Sequence, residues 1–442
     1  MVRLPEDCAL LPVDVGRLLV SRGHAVFCPV PALDVPGLEA VLASCAPLSS
    51  LGPGLLGELE RHGFFGPPRP EEEDRPSVQL QLTNGCNLVC RYCCTNSAKP
   101  RRREVSYEEL CAVVDQSHEV IGPAGQVAIL GGEPFLVPWA MDLAERVVDR
   151  GHHLTVFTNG TLHVDETLAR RTAALFRRGA EVRVSLAGPT AGLCDAASGT
   201  ARFEKVMAGI DQISRFGGEV IVDLMVLPDQ VDAVAAGFHA LRKRLPQGTE
   251  VALGILYLSG REEGVDLFPS RGALEAALDR IAFEGGELIA APQTAPLTHR
   301  REGCGCAMGH HLHVRSDGGL FNCFKMEEKV GQLNGAGSFL ETARHVRERP
   351  HPARTLPRCA DCALATLCGG GCRSDNLLFT GDANEPVCGP WRVRVISELL
   401  AEERVTAVDW PVHHLLAEAH ARGIDAPETI TPIRRSRHLV ET

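Results

Sequence analysis

The stretch VQLQLTNGCNLVCRYC, residues 78–93, decides how this chain is read. Val78 to Leu82 alternates apolar and amide side chains at period two, the pattern of a β-strand with one buried face. Three thiols follow at once, Cys86, Cys90 and Cys93, with the aromatic Tyr92 among them. Cys-x3-Cys-x2-Cys places three soft ligands on one loop at the end of that strand. Three thiolates suit an iron–sulfur cluster with one iron left open. A zinc site is the competing reading, although zinc more often uses Cys-x2-Cys pairs and four ligands. Cys94 falls off the spacing and reads as a packed thiol.

Working outward, the chain has 442 residues, 44% hydrophobic and 23% charged, which suits a globular protein of two or three domains. A formal charge of -11 with only 5% aromatic residues argues against a basic, stacking surface, so no nucleic-acid partner is expected. No apolar run is long enough to cross a bilayer or drive export, so no membrane partner and a cytoplasmic location are expected. Seventeen cysteines in such a chain read as metal ligands rather than disulfides.

Residues 1–75 read as a small α+β module and linker. Two β-type runs, 16–20 and 25–30, precede helical stretches, and a proline-rich acidic segment with Glu71, Glu72, Glu73 and Asp74 marks a boundary. Over 76–300, short apolar runs alternate with helical patterns: VQLQL, 106–121, QVAIL, 138–150, LTVF, 165–178, EVRVSL, 203–216, EVIVDLMV, 231–245 and EVALGIL. Six strands alternating with helices predict an α/β fold, a partial (β/α)6 TIM-like barrel with its chemistry at the C-terminal strand ends. Residues 301–390 lose that alternation, are rich in Cys, Gly and His, and are expected to depend on metal for their fold. A helical tail is expected over 391–442.

CNLVCRYC resembles the cluster signature of radical S-adenosylmethionine (SAM) enzymes. The resemblance implies that Cys86, Cys90 and Cys93 hold a [4Fe-4S] cluster whose open iron chelates SAM, and that reductive cleavage of SAM yields a 5'-deoxyadenosyl radical. It further implies SAM contacts at Tyr92, at the Gly131-Gly132-Glu133-Pro134 turn after the second barrel strand, at Thr158 and Asn159 after the third, and at Ser185 after the fourth. The two glycines are expected to let backbone approach a ligand closely, and Glu133 to accept from its ammonium group. Each turn alone is ordinary, and their order on successive strands carries the reading. Two departures stand out. Ser185-Leu186-Ala187-Gly188 replaces the family's SLDG, and Cys194-Asp195 is followed by Ser198 where the family has arginine.

Beyond residue 300, Gly318-x4-Cys323 follows Cys304 and Cys306, and Cys359-x2-Cys362-x5-Cys368-x3-Cys372-x15-Cys388 completes an array resembling the SPASM extension of radical SAM peptide maturases. The resemblance implies two auxiliary [4Fe-4S] clusters, three clusters in all. Cys304, Cys306, Cys323 and Cys372 would hold the nearer auxiliary cluster, and Cys359, Cys362, Cys368 and Cys388 the outer one. One of the closely spaced Cys304 and Cys306 could be spare, and a zinc ribbon is the alternative. His310, His311 and His313 read as polar neighbours of the array. Cys8, Cys28, Cys45 and Cys111 read as core thiols, and Cys194 as either a core or a catalytic thiol. Arg101, Arg102 and Arg103 read as a solvated run leading into a helix.

The N-terminal module resembles the winged-helix peptide-recognition element of ribosomal peptide pathways, which takes a leader peptide as an added strand; a structural cap is the alternative. Together these expectations describe a peptide maturase. Its partners would be a ribosomally made precursor peptide and an electron donor such as flavodoxin or ferredoxin, and its product an oxidative carbon–carbon or thioether crosslink. Sulfatase-type formylglycine formation is the second reading, disfavoured because Phe324 follows Cys323 where those enzymes carry an acid. A non-catalytic iron–sulfur electron-transfer protein is the third.

Overall fold

The computed structural model describes residues 3–13, 16–71, 76–254, 299–335 and 337–388, with scattered positions between 268 and 281. The acidic linker positions 72–75, the continuation of the sixth expected strand past Gly254 and the expected tail over 391–442 lie outside the described residues.

Near the N-terminus β1 (Cys8–Val13), β2 (Gly16–Ser21) and β3 (Val26–Pro31) form an antiparallel sheet in the order β1-β2-β3. The sequence pattern predicts only β2 and β3, because CALLPV lacks alternation and β1 forms by pairing with β2. Helices α1 (Val35–Leu42) and α2 (Pro53–Arg61) cover one face, where Leu19, Val26, Cys28 and Val30 meet Leu38, Leu55 and Leu59. The opposite face does not look at solvent. Leu18, Val20, Ala25 and Phe27 pack on Leu364 and Leu367, with Cys362 and Cys368 against the same cluster. Each fully buried Leu or Phe contributes about 1.5–3 kcal/mol, so the module is docked onto the cysteine-rich region by a core of its own.

The main sheet begins with β4 (Ser77–Gln81), β5 (Gln126–Leu130), β6 (His153–Thr158), β7 (Glu181–Leu186), β8 (Ile221–Met225) and β9 (Glu250–Gly254), all parallel and neighbours in chain order. Between them run α3 (Tyr107–Ile121), α4 (Ala140–Asp149), α5 (Glu166–Arg177), the pair α6 (Ala191–Ser198) and α7 (Phe203–Arg215), and α8 (Val231–Arg244). The helix starts are legible locally. Ser106 and Glu109 form a capping box on α3, and Asp165 and Thr190 accept from the first turns of α5 and α6.

The sheet does not stop at β4. β10 (His311–Val314) pairs parallel to β4 on its free edge, Ser77 opposite His311, and β11 (Gly319–Phe321) and β12 (Lys329–Gln332) continue antiparallel. This nine-stranded sheet adds three strands that the sequence reading did not name, and they follow one another with no helix between them. HLHV is too short to register as a periodic run, yet Leu312 and Val314 complete the core beneath α3. Beyond it stand α9 (Ser338–Arg347) and the short helices α10 (Ala365–Cys368) and α11 (Arg373–Thr380). Among the described residues no helix is long and apolar enough to cross a membrane.

Candidate active site

The C-terminal ends of β4 to β7 carry the residues singled out from the sequence. The loop after β4 is closed by backbone bonds from Cys86 to Ala98 (3.1 Å) and from Cys93 to Cys90 (3.3 Å). Cys86, Cys90 and Cys93 are each half-buried, and Cys93 lies close enough to both of the others to raise their pKa values. Burial pushes the Cys86 thiol up to about 11, so a free thiol there stays neutral, and ionising it takes a nearby cation or metal. Backbone N–H groups already point at the sulfurs. Leu88 donates to Cys86 at 3.4 Å and Ser97 to Cys93 at 3.2 Å, an environment suited to thiolate.

The turn after β5 is pressed against this loop. Gly132 donates to the Thr83 carbonyl at 2.8 Å and Glu133 to the Gly85 carbonyl at 2.9 Å. A Cβ on Gly132 would stand 2.1 Å from the Gly85 oxygen, and one on Gly131 3.1 Å from that of Thr83. The glycines therefore admit the cluster loop itself, where the sequence reading expects a ligand. Pro134 is buried and opens the 3-10 turn Pro134–Leu136.

Glu133 has no solvent exposure. Its carboxylate accepts from Thr158 Oγ1 (2.8 Å), the Asn159 amide (2.7 Å) and the Phe135 amide (3.2 Å). Burial raises its pKa to about 7 against those three bonds. In this structure it ties the end of β5 to the end of β6. Asn159 then donates from Nδ2 to Asn87 Oδ1 at 2.8 Å and approaches the Cys86 sulfur at 3.9 Å. Its Oδ1 accepts from Thr161 Oγ1 at 2.6 Å, and Asn87 donates to Thr161 Oγ1 at 2.9 Å. Asn87 and Thr161 escaped the sequence reading, although Asn87 stands inside CNLVCRYC.

An arginine reaches the cysteine loop from beyond α6. Arg202, just before α7, is 2% exposed and donates to the Tyr92 hydroxyl at 3.1 Å, with Cys90 and Cys194 in its field. Asp195 fixes the turn by accepting from the Arg202 and Phe203 amides at 2.8 and 2.9 Å. The signal available in the sequence was an arginine four residues beyond Ser198. Cys194 itself is fully buried in the core around α6. Ser185 is half-buried on β7, in register with Asp223 of β8. The same face of β6 to β8 carries Phe157, Arg183 and Met225, and Arg183 pairs with Asp223.

The later cysteines gather into two groups. Cys304, Cys306, Cys323 and Cys372 are electrostatic neighbours, and Cys306 hydrogen-bonds Cys323, raising the first thiol's pKa and lowering the second's to about 7. Cys359, Cys362, Cys368 and Cys388 form the second set, in which burial pushes Cys359 to about 12 and Cys368 to about 11. Among the described residues no three such ligands converge on one ion-sized point. Thiolates on an iron–sulfur cube bind different irons, so that spacing does not weigh against two tetrads. Lys325, unremarked in the sequence, lies in the field of Cys323, Cys372 and Cys94, between the first loop and the nearer tetrad.

The remaining candidates take structural places. His311 meets Ser77 Oγ at 2.7 Å, and His313 is buried beside Phe324. Arg101 is paired with Asp317 at 2.7 Å. Cys28 is buried, Cys8 and Cys111 are half-buried, and Cys45 is exposed on the turn after α1, which corrects its expected core position.

Residues 80–235 match the model of the Radical SAM superfamily. The chain is 26% identical over 333 residues to mycofactocin maturase MftC of Mycolicibacterium smegmatis, covering 70% of this chain and 81% of that protein. It is 25% identical over 343 residues to the AdoMet-dependent heme synthase of Methanosarcina barkeri, covering 70% and 95%. Among solved structures, anSMEcpe with bound AdoMet superposes at a TM-score of 0.52 with 17% identity, over 74% of this chain and 97% of that one. Streptococcus suis SuiB bound to S-adenosylmethionine superposes at 0.51 with 13% identity, over 86% and 98%. These two likenesses concern the fold.

Proposed function

We propose that this chain, a radical SAM enzyme, modifies a ribosomally made precursor peptide oxidatively, joining two of its side chains through a carbon–carbon or thioether bond. The observation that carries the reading is the joint presence of the Cys86, Cys90, Cys93 loop and two separate thiol tetrads in one chain. Its relatives support the substrate class. MftC is named a maturase, and SuiB has been solved bound to the precursor peptide SuiA.

Cys86, Cys90 and Cys93 would hold the SAM-binding [4Fe-4S] cluster, and the two tetrads an auxiliary cluster each. When bound, the first cluster and SAM supply a reducing electron and a 5'-deoxyadenosyl radical able to abstract hydrogen. The protein's own part is positioning. Glu133 holds Thr158 and Asn159 at the SAM site, while the Gly131–Pro134 turn and Ser185 line it. Arg202 fixes Tyr92 and lends positive charge beside Cys90. Phe157, Met225 and the Arg183–Asp223 pair form the sheet face on which the peptide is held. The two tetrads would hold clusters able to accept the electron released as the product oxidises, and a flavodoxin or ferredoxin would supply the reducing electron.

Strand addition to the N-terminal sheet is the matching mode of leader binding. Pro29 and Pro31 deprive β3 of two donors, which leaves the β1 edge the better provided. The test is anaerobic incubation of the reconstituted protein with reductant, SAM and the product of a short reading frame beside its gene. The expected result is 5'-deoxyadenosine together with a peptide lighter by the hydrogens lost. Absence of SAM cleavage by fully reconstituted protein sinks the proposal.

A further inference from the structure

Arg202 is a buried cation with no acid bonded to its side chain. It is 2% exposed, and the groups that hold its charge are Tyr92, Cys194 and Cys90. Among the described residues it enters no ion pair with a carboxylate. Asp195 accepts from the Arg202 and Phe203 amides instead. Glu133 feels the guanidinium without bonding it, and its own oxygens are taken by Thr158, Asn159 and Phe135. Arg202 Nε is buried and has no hydrogen-bond partner. Arg183 on β7 shows the ordinary arrangement: it is more exposed, and it pairs with both Asp223 and Glu181.

The fold fixes where this charge stands. The Arg91 amide bonds the Ala197 carbonyl at 3.0 Å, which tethers the cysteine loop to α6. A Cβ on Gly199, the residue after α6, would stand 3.4 Å from the Val89 carbonyl oxygen, so the loop rests on the helix end. Asp195 then holds the turn from which Arg202 reaches back to the Tyr92 hydroxyl at 3.1 Å. Burial pushes the Cys90 thiol up and Arg202 pulls it down, so the guanidinium is felt at one of the three loop sulfurs. A desolvated guanidinium keeps its proton and costs free energy until an anion stands beside it. Three thiolates around a [4Fe-4S] core with one open iron are such an anion, and reduction makes it more negative.

We propose that Arg202 is a positioning residue that supplies the buried counter-charge of the cluster at Cys86, Cys90 and Cys93 and raises its reduction potential. The inference rests on the assignment of that cluster above and deepens it. A fixed cation in surroundings of low dielectric favours whichever state carries more negative charge, here the reduced one. The potentials of iron–sulfur clusters follow net charge, hydrogen bonds to the sulfurs and solvent exposure, and Arg202 acts through the first of these. Without it, the ratio of reduced to oxidised cluster at a fixed poise is expected to fall about tenfold, which is about 59 mV for one electron.

The experiment is an anaerobic redox titration of the full reconstituted chain, without peptide, followed by electron paramagnetic resonance. The reduced signal that changes on adding SAM identifies the cluster with the open iron. Arg202→Gln removes the charge, and Cys194→Asp cancels it in place, because Cys194 hydrogen-bonds the guanidinium. Each is expected to lower the midpoint by the equivalent of about tenfold, and Arg202→Lys to recover most of that shift. Should Arg202→Gln fail to hold iron, Cys194→Asp decides, since it keeps the arginine. A wild-type midpoint in the charge variants overturns the proposal, and so does an Arg202→Lys midpoint equal to that of Arg202→Gln, which would make the effect one of packing. Weaker SAM binding with an unchanged midpoint would assign the guanidinium to the SAM carboxylate and overturn it equally. A reduced signal indifferent to SAM would overturn the cluster assignment itself, so the two failures are told apart.

Discussion

Replacing Gly132 with alanine is expected to cost the protein stability and to weaken iron binding at the proposed Cys86, Cys90 and Cys93 cluster site. The new Cβ would lie 2.1 Å from the Gly85 carbonyl oxygen and 2.6 Å from its carbon, and both are backbone atoms with no rotamer to turn aside. Relief requires the Gly85 peptide to retreat, which opens the bond from the Glu133 amide to Gly85. Overpacking of this kind costs about 1–3 kcal/mol and the lost bond about 1 kcal/mol more, roughly 3 kcal/mol together. For a domain of this size that corresponds to a melting point lower by roughly 6–12 °C. Gly85 immediately precedes Cys86, so iron bound per chain falls with it. Gly57→Ala is the matched control. Gly57 lies inside α2, where an added methyl would meet nothing within 4 Å and φ is not positive, and alanine there is expected to stabilise by about 0.5–1 kcal/mol. Parallel thermal melts and iron analysis of the two variants decide the matter. A Gly132→Ala protein as stable and as iron-rich as wild type would refute the close approach of the two turns.

Glu133→Gln places an amide NH2 where a carboxylate oxygen now accepts, leaving one of three donors without an acceptor; a loss of about 1–3 kcal/mol in urea unfolding, with reduced SAM cleavage, is expected. Arg202→Met takes the donor from the Tyr92 hydroxyl and a positive charge from beside Cys90; SAM cleavage should fall by tenfold or more, and an unchanged rate would remove Arg202 from the site. Burial lowers the His163 pKa from 6.5 to about 4, so below pH 6.5 the unfolded chain takes up a proton that the folded chain refuses. Stability should therefore drop by about 3 kcal/mol as pH falls from 6.5 to 4, and His163→Leu should flatten that part of the profile. If each tetrad holds the proposed cluster, Cys323→Ala and Cys368→Ala should each lower iron from about twelve per chain towards eight, while Cys45→Ala, on the surface, changes nothing.

The strand ends were legible because their chemistry is local. A three-thiol loop after VQLQL, a Gly-Gly-Glu-Pro turn after QVAIL and Thr158-Asn159 after LTVF announce themselves in a few residues each. What the sequence concealed depends on contacts between distant segments. Arg202 carries no motif of its own, and its place beside Tyr92 depends on contact between segments 110 positions apart. Gly132 looked ligand-facing because the approach of Gly85 is tertiary. β10 stayed hidden because HLHV is four residues long and borrows its order from Ser77, 234 positions earlier. β1 is likewise a product of pairing.

The pairing of β10 with β4 also has a meaning in time. At roughly 5–20 residues per second of synthesis, the 234 positions between Ser77 and His311 take about 10–50 s to appear. Throughout that interval β4 can pair with β5 but keeps its other edge, Val78 and Leu80 included, without a native neighbour. An unpaired strand edge is a template for wrong partners. The nascent chain is thus most exposed to misassembly before its cysteine-rich half emerges, and slowing translation within 82–310 should lengthen that window, whereas slowing it after β12 should not.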